Sequence, residues 1–360
     1  MASNAPGLLN RLGQSLWLDN ITRDLLESGT LKRYVDELSI TGLTSNPTIF
    51  DNAISRHDWY DAEIHKQLDA GTSGEALFFN RAIQDLGRAA DLFLPIYQRS
   101  GTVDGFVSLE VSPLLAYDTK ATVVQARALH ARANRPNLFI KIPGTAEGLP
   151  AIEDSIFAGV PINVTLLFST EQYMAAADAT LKGLERRVAA GLSADVRSVA
   201  SVFVSRWDVA VTASVPAELR NTLGMAVGGQ AYKAYRDIHE SERFQRLANA
   251  GARAQRLLFA STGTKDKAAS DTLYVAGLAA PNTVNTMPED TLLALADHGV
   301  PPHALPRDGG DAEAVLAAHV KAGIDLTALA ARLQSDGAKS FVKSWTELLG
   351  AIGAKNKVAA

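Results

Sequence analysis

A closed barrel of eight parallel strands, each followed by helix, is the architecture this sequence points to, on three observations. Eight apolar runs of strand length alternate with stretches of helical period, the pattern of a parallel sheet. That number suits a (β/α)8 TIM barrel with extra helices better than a doubly wound sheet, and no Gly-x-Gly-x-x-Gly follows any of the runs. No linker rich in proline, glycine or serine divides the 360 residues, so residues 1–360 are expected to form one barrel domain with C-terminal helices.

Ser15-Leu-Trp-Leu-Asp19-Asn reads as a short strand ending on an acid, with helical spacing behind it at Leu25, Leu26, Leu31 and Val35. Residues 40–47 make the second strand, closed at Asn46 because Pro47 disfavours helix in the residue before it. Helical patterns over about 58–68 and 75–97 lead to a third strand, 105–113, with Glu110 near its carboxyl end. After a helix over 120–132 comes the fourth, Leu138 to Ile142, stopped by Pro143-Gly144 and followed by helical spacing at Leu149, Ile152 and Ile156.

The fifth strand, 161–169, carries Asn163 and Thr165 and precedes a helix over 171–190. The sixth, 199–206, carries Ser201 and Phe203 and ends on Arg206; the long helical region behind it reaches Leu247, broken at Pro216. Residues 256–265, with Ser261 and Lys265, form the seventh, and 272–277 running on to 281–285 the eighth. Helices over 289–296, 312–321 and 326–349 close the chain, and Pro301-Pro302 with Gly309-Gly310 marks a loop before the last two.

Composition narrows the function. A chain that is 47% hydrophobic and 21% charged is of the soluble globular kind. A net charge of −4 gives no reason to expect nucleic acid or an anionic membrane as partner. With no cysteine there is no disulfide, thiolate nucleophile or cysteine zinc site. The seven histidines form neither His-x-x-x-His nor His-Glu-x-x-His, so no metal and no other cofactor is expected. The first residues lack a basic stretch followed by a long apolar one, and a cytoplasmic location is the expectation.

The fourth strand holds the chemistry. Lys141 sits inside its apolar run, where an ammonium loses hydration, and no acidic residue lies beside it in sequence. Burial then favours the neutral amine. A free lysine, with a pKa of about 10.4, is neutral in only about one molecule in 2,500 at pH 7, so a fall of three units makes roughly a thousandfold more nucleophile available. A Schiff base with a ketone requires such an amine. The alternative is an edge-strand lysine whose ammonium reaches solvent past an apolar stem.

Asp19, Asn46, Glu110, Lys141, Asn163 with Thr165, Ser201 and Ser261 each lie in or at the end of a different apolar strand. Parallel strands end on one face of a barrel, where barrel enzymes keep their sites. One polar residue in a buried strand is ordinarily a hydrogen-bonded core group, but that account does not extend to so many strands at one end. Individual residues keep structural alternatives: Asp19 as a helix cap, Glu110 in an ion pair with a neighbouring strand, Thr165 as a strand former, Phe203 as core, Asn46 as a turn initiator.

Four segments, Thr41-Gly-Leu-Thr-Ser-Asn-Pro-Thr48, Asn137-Leu-Phe-Ile-Lys-Ile-Pro-Gly-Thr-Ala-Glu-Gly148, Ile162-Asn-Val-Thr-Leu-Leu-Phe-Ser169 and Tyr274-Val with Thr283-Val-Asn-Thr-Met-Pro288, resemble the signatures of the transaldolase family. The likeness runs from about Ser15 to Leu349 and is strongest to the longer bacterial type, also found fused to phosphoglucose isomerase. It implies a barrel of the class I aldolase type acting in the pentose phosphate pathway. That enzyme would move a dihydroxyacetone unit from sedoheptulose 7-phosphate or fructose 6-phosphate to glyceraldehyde 3-phosphate or erythrose 4-phosphate.

Under the resemblance Lys141 matches the Schiff-base lysine and Glu110 the acid that relays protons through a water held by Thr165. Asp19 matches the base that takes the C4 hydroxyl proton; Asn46 and Asn163 match residues on the dihydroxyacetone hydroxyls, and Ser201 a pocket residue. Arg206 matches a phosphate-binding arginine. Where better-known members carry Ala-Ser-Phe-Arg after the seventh strand, this chain has Ala260-Ser261-Thr-Gly-Thr-Lys265, leaving a Ser-Thr-Gly turn and Lys265 to assist Arg206. The partners implied are phosphorylated ketoses and aldoses, for a monomer or homodimer. Two rivals stand beside this reading: a fructose 6-phosphate aldolase that releases free dihydroxyacetone, and a non-catalytic barrel that binds sugar phosphates.

Overall fold

The computed structural model describes residues 4–355; residues 1–3 and 356–360 of the expected domain range lie outside the described residues. Eight parallel strands close into a barrel. They are β1 (Ser15–Leu18), β2 (Ile40–Leu43), β3 (Val107–Glu110), β4 (Leu138–Pro143), β5 (Ile162–Leu167), β6 (Ser198–Phe203), β7 (Arg256–Ala260) and β8 (Val284–Met287), with β8 pairing back onto β1.

Every residue of β4, β5 and β6 is buried, because one face of each strand packs on helices and the other fills the barrel. Below the site the interior is aromatic. Phe139 of β4 stacks on Phe106 at 4.1 Å and lies 6.2 Å from Trp17 of β1. Lys141 shares a strand face with Phe139, two residues nearer the carboxyl end, and so stands on this aromatic layer. After β4 the chain turns at once into the helix Gly148–Phe157. A Cβ on Gly148 would fall 1.9 Å from the Pro143 carbonyl oxygen, so that approach requires glycine.

The eighth strand departs from expectation. Residues 273–277, with Tyr274 and Val275 among them, form a five-residue helix, Leu273–Gly277, and the strand is Val284–Met287. The hydroxyl of Tyr274 in that helix donates to buried Asp208 at 2.7 Å; tertiary contact overrides the local β-propensity. Arg206 also moves: β6 ends at Phe203, and Arg206 lies in the first turn of the helix Ser205–Val211. Two further helices are not marked by the sequence pattern. Ala5–Leu12 precedes β1, and Pro47–Ser55 opens with proline at its first position and Asn46 as its cap.

The C-terminal helix, Leu326–Lys355, lies across the carboxyl end of the barrel. Its Gln334 amide donates to the carbonyls of Gly144 and Leu166, and Ser344 pairs with Thr48 at 2.8 Å. Trp345 packs edge-on against Phe78. Among the described residues no single helix is long and apolar enough to cross a membrane.

Candidate active site

A cavity of about 660 Å³ opens at the carboxyl end of the barrel, between the strand ends and the C-terminal helix. Asp19, Thr44, Asn46, Lys141, Thr165 and Ser201 line its inner part; Phe203, Arg206, Ser261 and Lys265 line another part of the wall, and Leu333 and Phe341 of the C-terminal helix complete it. Of the residues singled out from sequence, Glu110 and Asn163 are not on this wall.

The β3–β4–β5 register explains their place. Lys141 is paired in the ladder with Glu110 on one side and Asn163 on the other. The Lys141 Nζ lies 3.2 Å from Glu110 Oε2 and donates to the Ser45 carbonyl at 2.9 Å. Both side chains are all but sealed from solvent. No acid adjoins Lys141 in sequence; its carboxyl neighbour comes from the adjacent strand, as the ion-pair alternative for Glu110 has it. Burial pushes the Glu110 carboxyl above its ordinary range, while the Lys141 charge pulls it down. Apart from this ion pair, neither Glu110 oxygen has a hydrogen-bond partner among the described residues, and nor does the buried Thr165 Oγ1.

Asp19 follows β1, held there by its backbone N–H donating to Met287. Its Oδ1 accepts from Thr44 Oγ1 at 2.7 Å, and Thr44 is in turn 2.7 Å from Thr286 Oγ1 on β8. The next helix is capped by Thr22, which accepts from Leu25 N–H, so capping does not account for the acid. Protein packed around Asp19 raises its carboxyl above the ordinary range, opposed by Lys141, the Thr44 hydroxyl, Lys265 and Arg206 in that order. Arg206 and Lys265 line the cavity from the segments after β6 and β7, across the barrel from Glu110 on β3.

Other side chains divide between scaffold and cavity. Asn46 Oδ1 caps the helix Pro47–Ser55 by accepting from Ile49 N–H, so the turn alternative describes half of this residue; the other half faces the cavity. Asn163 donates to Ser108 and accepts from Ser201, which fixes the Ser201 hydroxyl at the cavity floor. Phe203 packs on Phe168 at 5.2 Å and carries the Arg206 guanidinium 5.4 Å over its ring, serving as core and wall at once. Ser261, with φ of 56°, is in the left-handed region and pairs with Ser205 at 3.0 Å.

Sequence reasoning missed Thr44, Thr286, Leu333 and Phe341. The two threonines lay inside segments already singled out, Thr41 to Thr48 and Thr283 to Pro288, with only Asn46 taken from the former. Leu333 and Phe341 follow the ordinary core period of the helix, and nothing in the sequence marks that face as covering a cavity. Among the described residues no group of three histidine, cysteine, aspartate or glutamate side chains is placed to hold a metal ion.

A buried amine beside one carboxyl, with a second carboxyl across the cavity, is equipped for imine formation and for proton transfer at a neighbouring hydroxyl. The comparisons agree with that equipment. The profile described as Transaldolase/Fructose-6-phosphate aldolase matches residues 16–352. The chain belongs to the transaldolase/fructose-6-phosphate aldolase family.

Among curated relatives, a protein named Transaldolase from Thiobacillus denitrificans is 44% identical over 355 residues, covering 96% of this chain and 98% of its own. A Transaldolase from Mycobacterium tuberculosis strain CDC 1551 is 44% identical over 361 residues, covering 97% of each chain. A Transaldolase from Thermobifida fusca is 45% identical over 350 residues, covering 95% of each. Membership of the transaldolase/fructose-6-phosphate aldolase family makes phosphorylated sugars the substrate class, and the cations facing this cavity are of the right sign for them.

The raised carboxyl of Asp19 has a consequence for stability. Folding binds its proton more tightly than the unfolded chain does, where the value is about 3.9. The contribution of Asp19 is therefore most favourable below that value and is lost as pH rises through the higher folded value. Asp19→Asn, which never ionises, should melt at a higher temperature than the wild type at pH 7 to 8, with the difference vanishing below about pH 4. Thermal melts across that range check it; a variant melting lower at pH 8 than at pH 4, relative to wild type, contradicts it.

Proposed function

We infer that this protein is a transaldolase, carrying a dihydroxyacetone unit from a phosphorylated ketose to a phosphorylated aldose on Lys141. The observation that supports it most is the buried amine of Lys141, 3.2 Å from Glu110 at the floor of a cavity faced by Asp19, Arg206 and Lys265. The donor is sedoheptulose 7-phosphate or fructose 6-phosphate, and the acceptor glyceraldehyde 3-phosphate or erythrose 4-phosphate, within the pentose phosphate pathway.

The steps follow from the chemistry of each group. Glu110 takes a proton from the Lys141 ammonium, and the freed amine attacks the C2 carbonyl of the donor. A second proton passes from that nitrogen to the former carbonyl oxygen to give the carbinolamine. The first, returned from Glu110 to the carbinolamine hydroxyl through a water held by Thr165, then lets water leave and the iminium form. Asp19 then accepts the C4 hydroxyl proton as the C3–C4 bond breaks, and the electron pair moves into the iminium as an enamine. The new aldehyde departs, an acceptor aldehyde takes its place, and the same steps run backwards.

Asn46 and Ser201 hold the hydroxyls of the retained three-carbon unit, with Asn163 fixing Ser201 from below. Arg206, steadied over Phe203, and Lys265 take the phosphate; the Ser261 turn brings Gly263 to the same wall. The carboxyl side chain of Glu110 distinguishes this chain from the short fructose 6-phosphate aldolases, which it resembles less and which have glutamine there. We place the reaction in the cytoplasm, with the protein a monomer or homodimer.

Fructose 6-phosphate with borohydride should leave a reduced dihydroxyacetone unit on Lys141, found by mass spectrometry of the digested protein. An unmodified Lys141 would end the proposal, and abundant dihydroxyacetone released without an acceptor would favour the aldolase. For the phosphate, Arg206→Ala should raise KM for phosphorylated donors by about 100-fold and hardly change that for unphosphorylated ones. An equal effect on both would remove Arg206 from the phosphate site.

A further inference from the structure

Where the C-terminal helix meets the reacting strands, one residue, Gln334, makes hydrogen bonds that packing does not explain. Gln334 Nε2 donates to the Gly144 carbonyl at 3.0 Å and to the Leu166 carbonyl at 2.9 Å, so one amide spans the ends of two neighbouring strands. Gly144 is three residues beyond Lys141, and Leu166 directly follows Thr165.

The strand ends need such a tie. Leu166 is in the left-handed region, with φ of 59°, which a leucine side chain disfavours. There the β5–β6 register is irregular, slipping between Val164 and Leu167. The β4–β5 ladder survives through Gly144 N–H donating to the Thr165 carbonyl at 2.8 Å. One turn further along the helix, Gly337 lets the backbone close on the same leucine: a Cβ there would be 3.0 Å from Leu166 Cδ2. Gln334 therefore holds a strained backbone next to Thr165, a residue that lines the cavity and whose buried hydroxyl has no partner among the described residues.

We propose that Gln334 is a positioning residue, clamping the ends of β4 and β5 so that the Thr165 hydroxyl and the Lys141 amine keep the spacing that imine formation needs. The inference rests on the lysine chemistry above but assigns a catalytic requirement to a helix outside the barrel. Losing the clamp affects the water-transfer steps at Lys141 and leaves phosphate binding alone, since Arg206 and Lys265 stand on other elements.

Gln334→Glu keeps the shape and removes both donors; Gln334→Lys keeps donors. Leu329→Ala, which removes buried packing from the same helix away from the cavity, reports what loosening alone does. Borohydride quenching on the millisecond scale with fructose 6-phosphate gives the rate of imine formation, alongside steady-state kinetics and melting temperature. Gln334→Glu should slow imine formation and kcat by about 100-fold, the order a misplacement of about 1 Å produces, with KM within about threefold of wild type. Gln334→Lys should recover most of the loss, and Leu329→Ala should lower the melting temperature without this kinetic split.

A Gln334→Glu enzyme at wild-type rate, one no slower than Leu329→Ala, or a Gln334→Lys enzyme as slow as Gln334→Glu overturns the proposal. If instead the wild-type protein gives no adduct on Lys141, the lysine chemistry itself has failed, an outcome read in the same experiment.

Discussion

One ion pair sets the terms for this structure: Lys141 and Glu110, side by side in the ladder of β3 and β4 and shut away from water. Removing two charges from solvent is expensive, and deleting either partner leaves an uncompensated charge that typically costs about 3–5 kcal/mol. Such a pair is poor support for stability in its own right. In the proposed mechanism its use is chemical: burial raises the Glu110 carboxyl, making it a better home for a proton leaving the neighbouring ammonium. The barrel makes this possible by register: parallel strands bring residues far apart in sequence to one level, over an aromatic floor of Trp17, Phe106 and Phe139.

The second carboxyl differs in surroundings more than in type. Both acids are raised by burial, yet Glu110 is sealed behind the lysine while Asp19 opens on the cavity, bonded to Thr44 and facing three cations. In the mechanism we propose, access divides their labour: the enclosed acid exchanges protons with the amine, and the open one reaches the substrate hydroxyl. Both lie in strained electrostatic positions that a protein selected for stability alone would fill with apolar groups, the usual compromise at a working site.

How much of this could be read from the chain alone follows from range. Strands β1 to β7 were legible, as were the helices between β3 and β7, because unbroken apolar runs and helical periods are local signals. The eighth strand was misplaced since the Thr-Leu-Tyr-Val segment has strand composition, and the bond from Tyr274 to Asp208 with the burial of Tyr274 and Val275 holds it as helix. Lys141 was legible as a charge inside an apolar run, whereas its carboxyl partner came from register across two strands, which adjacency does not reveal. The roof was invisible for a related reason: Gln334, Leu333 and Phe341 sit on a helix whose period is ordinary, and their role exists only in the packed structure.

Glu110 as the proton relay is the claim on which the account turns, and single-turnover kinetics of Glu110→Gln address it directly. Imine formation and hydrolysis pass the same water through the same group, so the substitution should slow the approach to the trapped Lys141 adduct by at least about 100-fold. The final amount of adduct should stay close to wild type, since a relay changes rates in both directions alike. An approach as fast as the wild type, with an amide in place of the acid, would contradict the account.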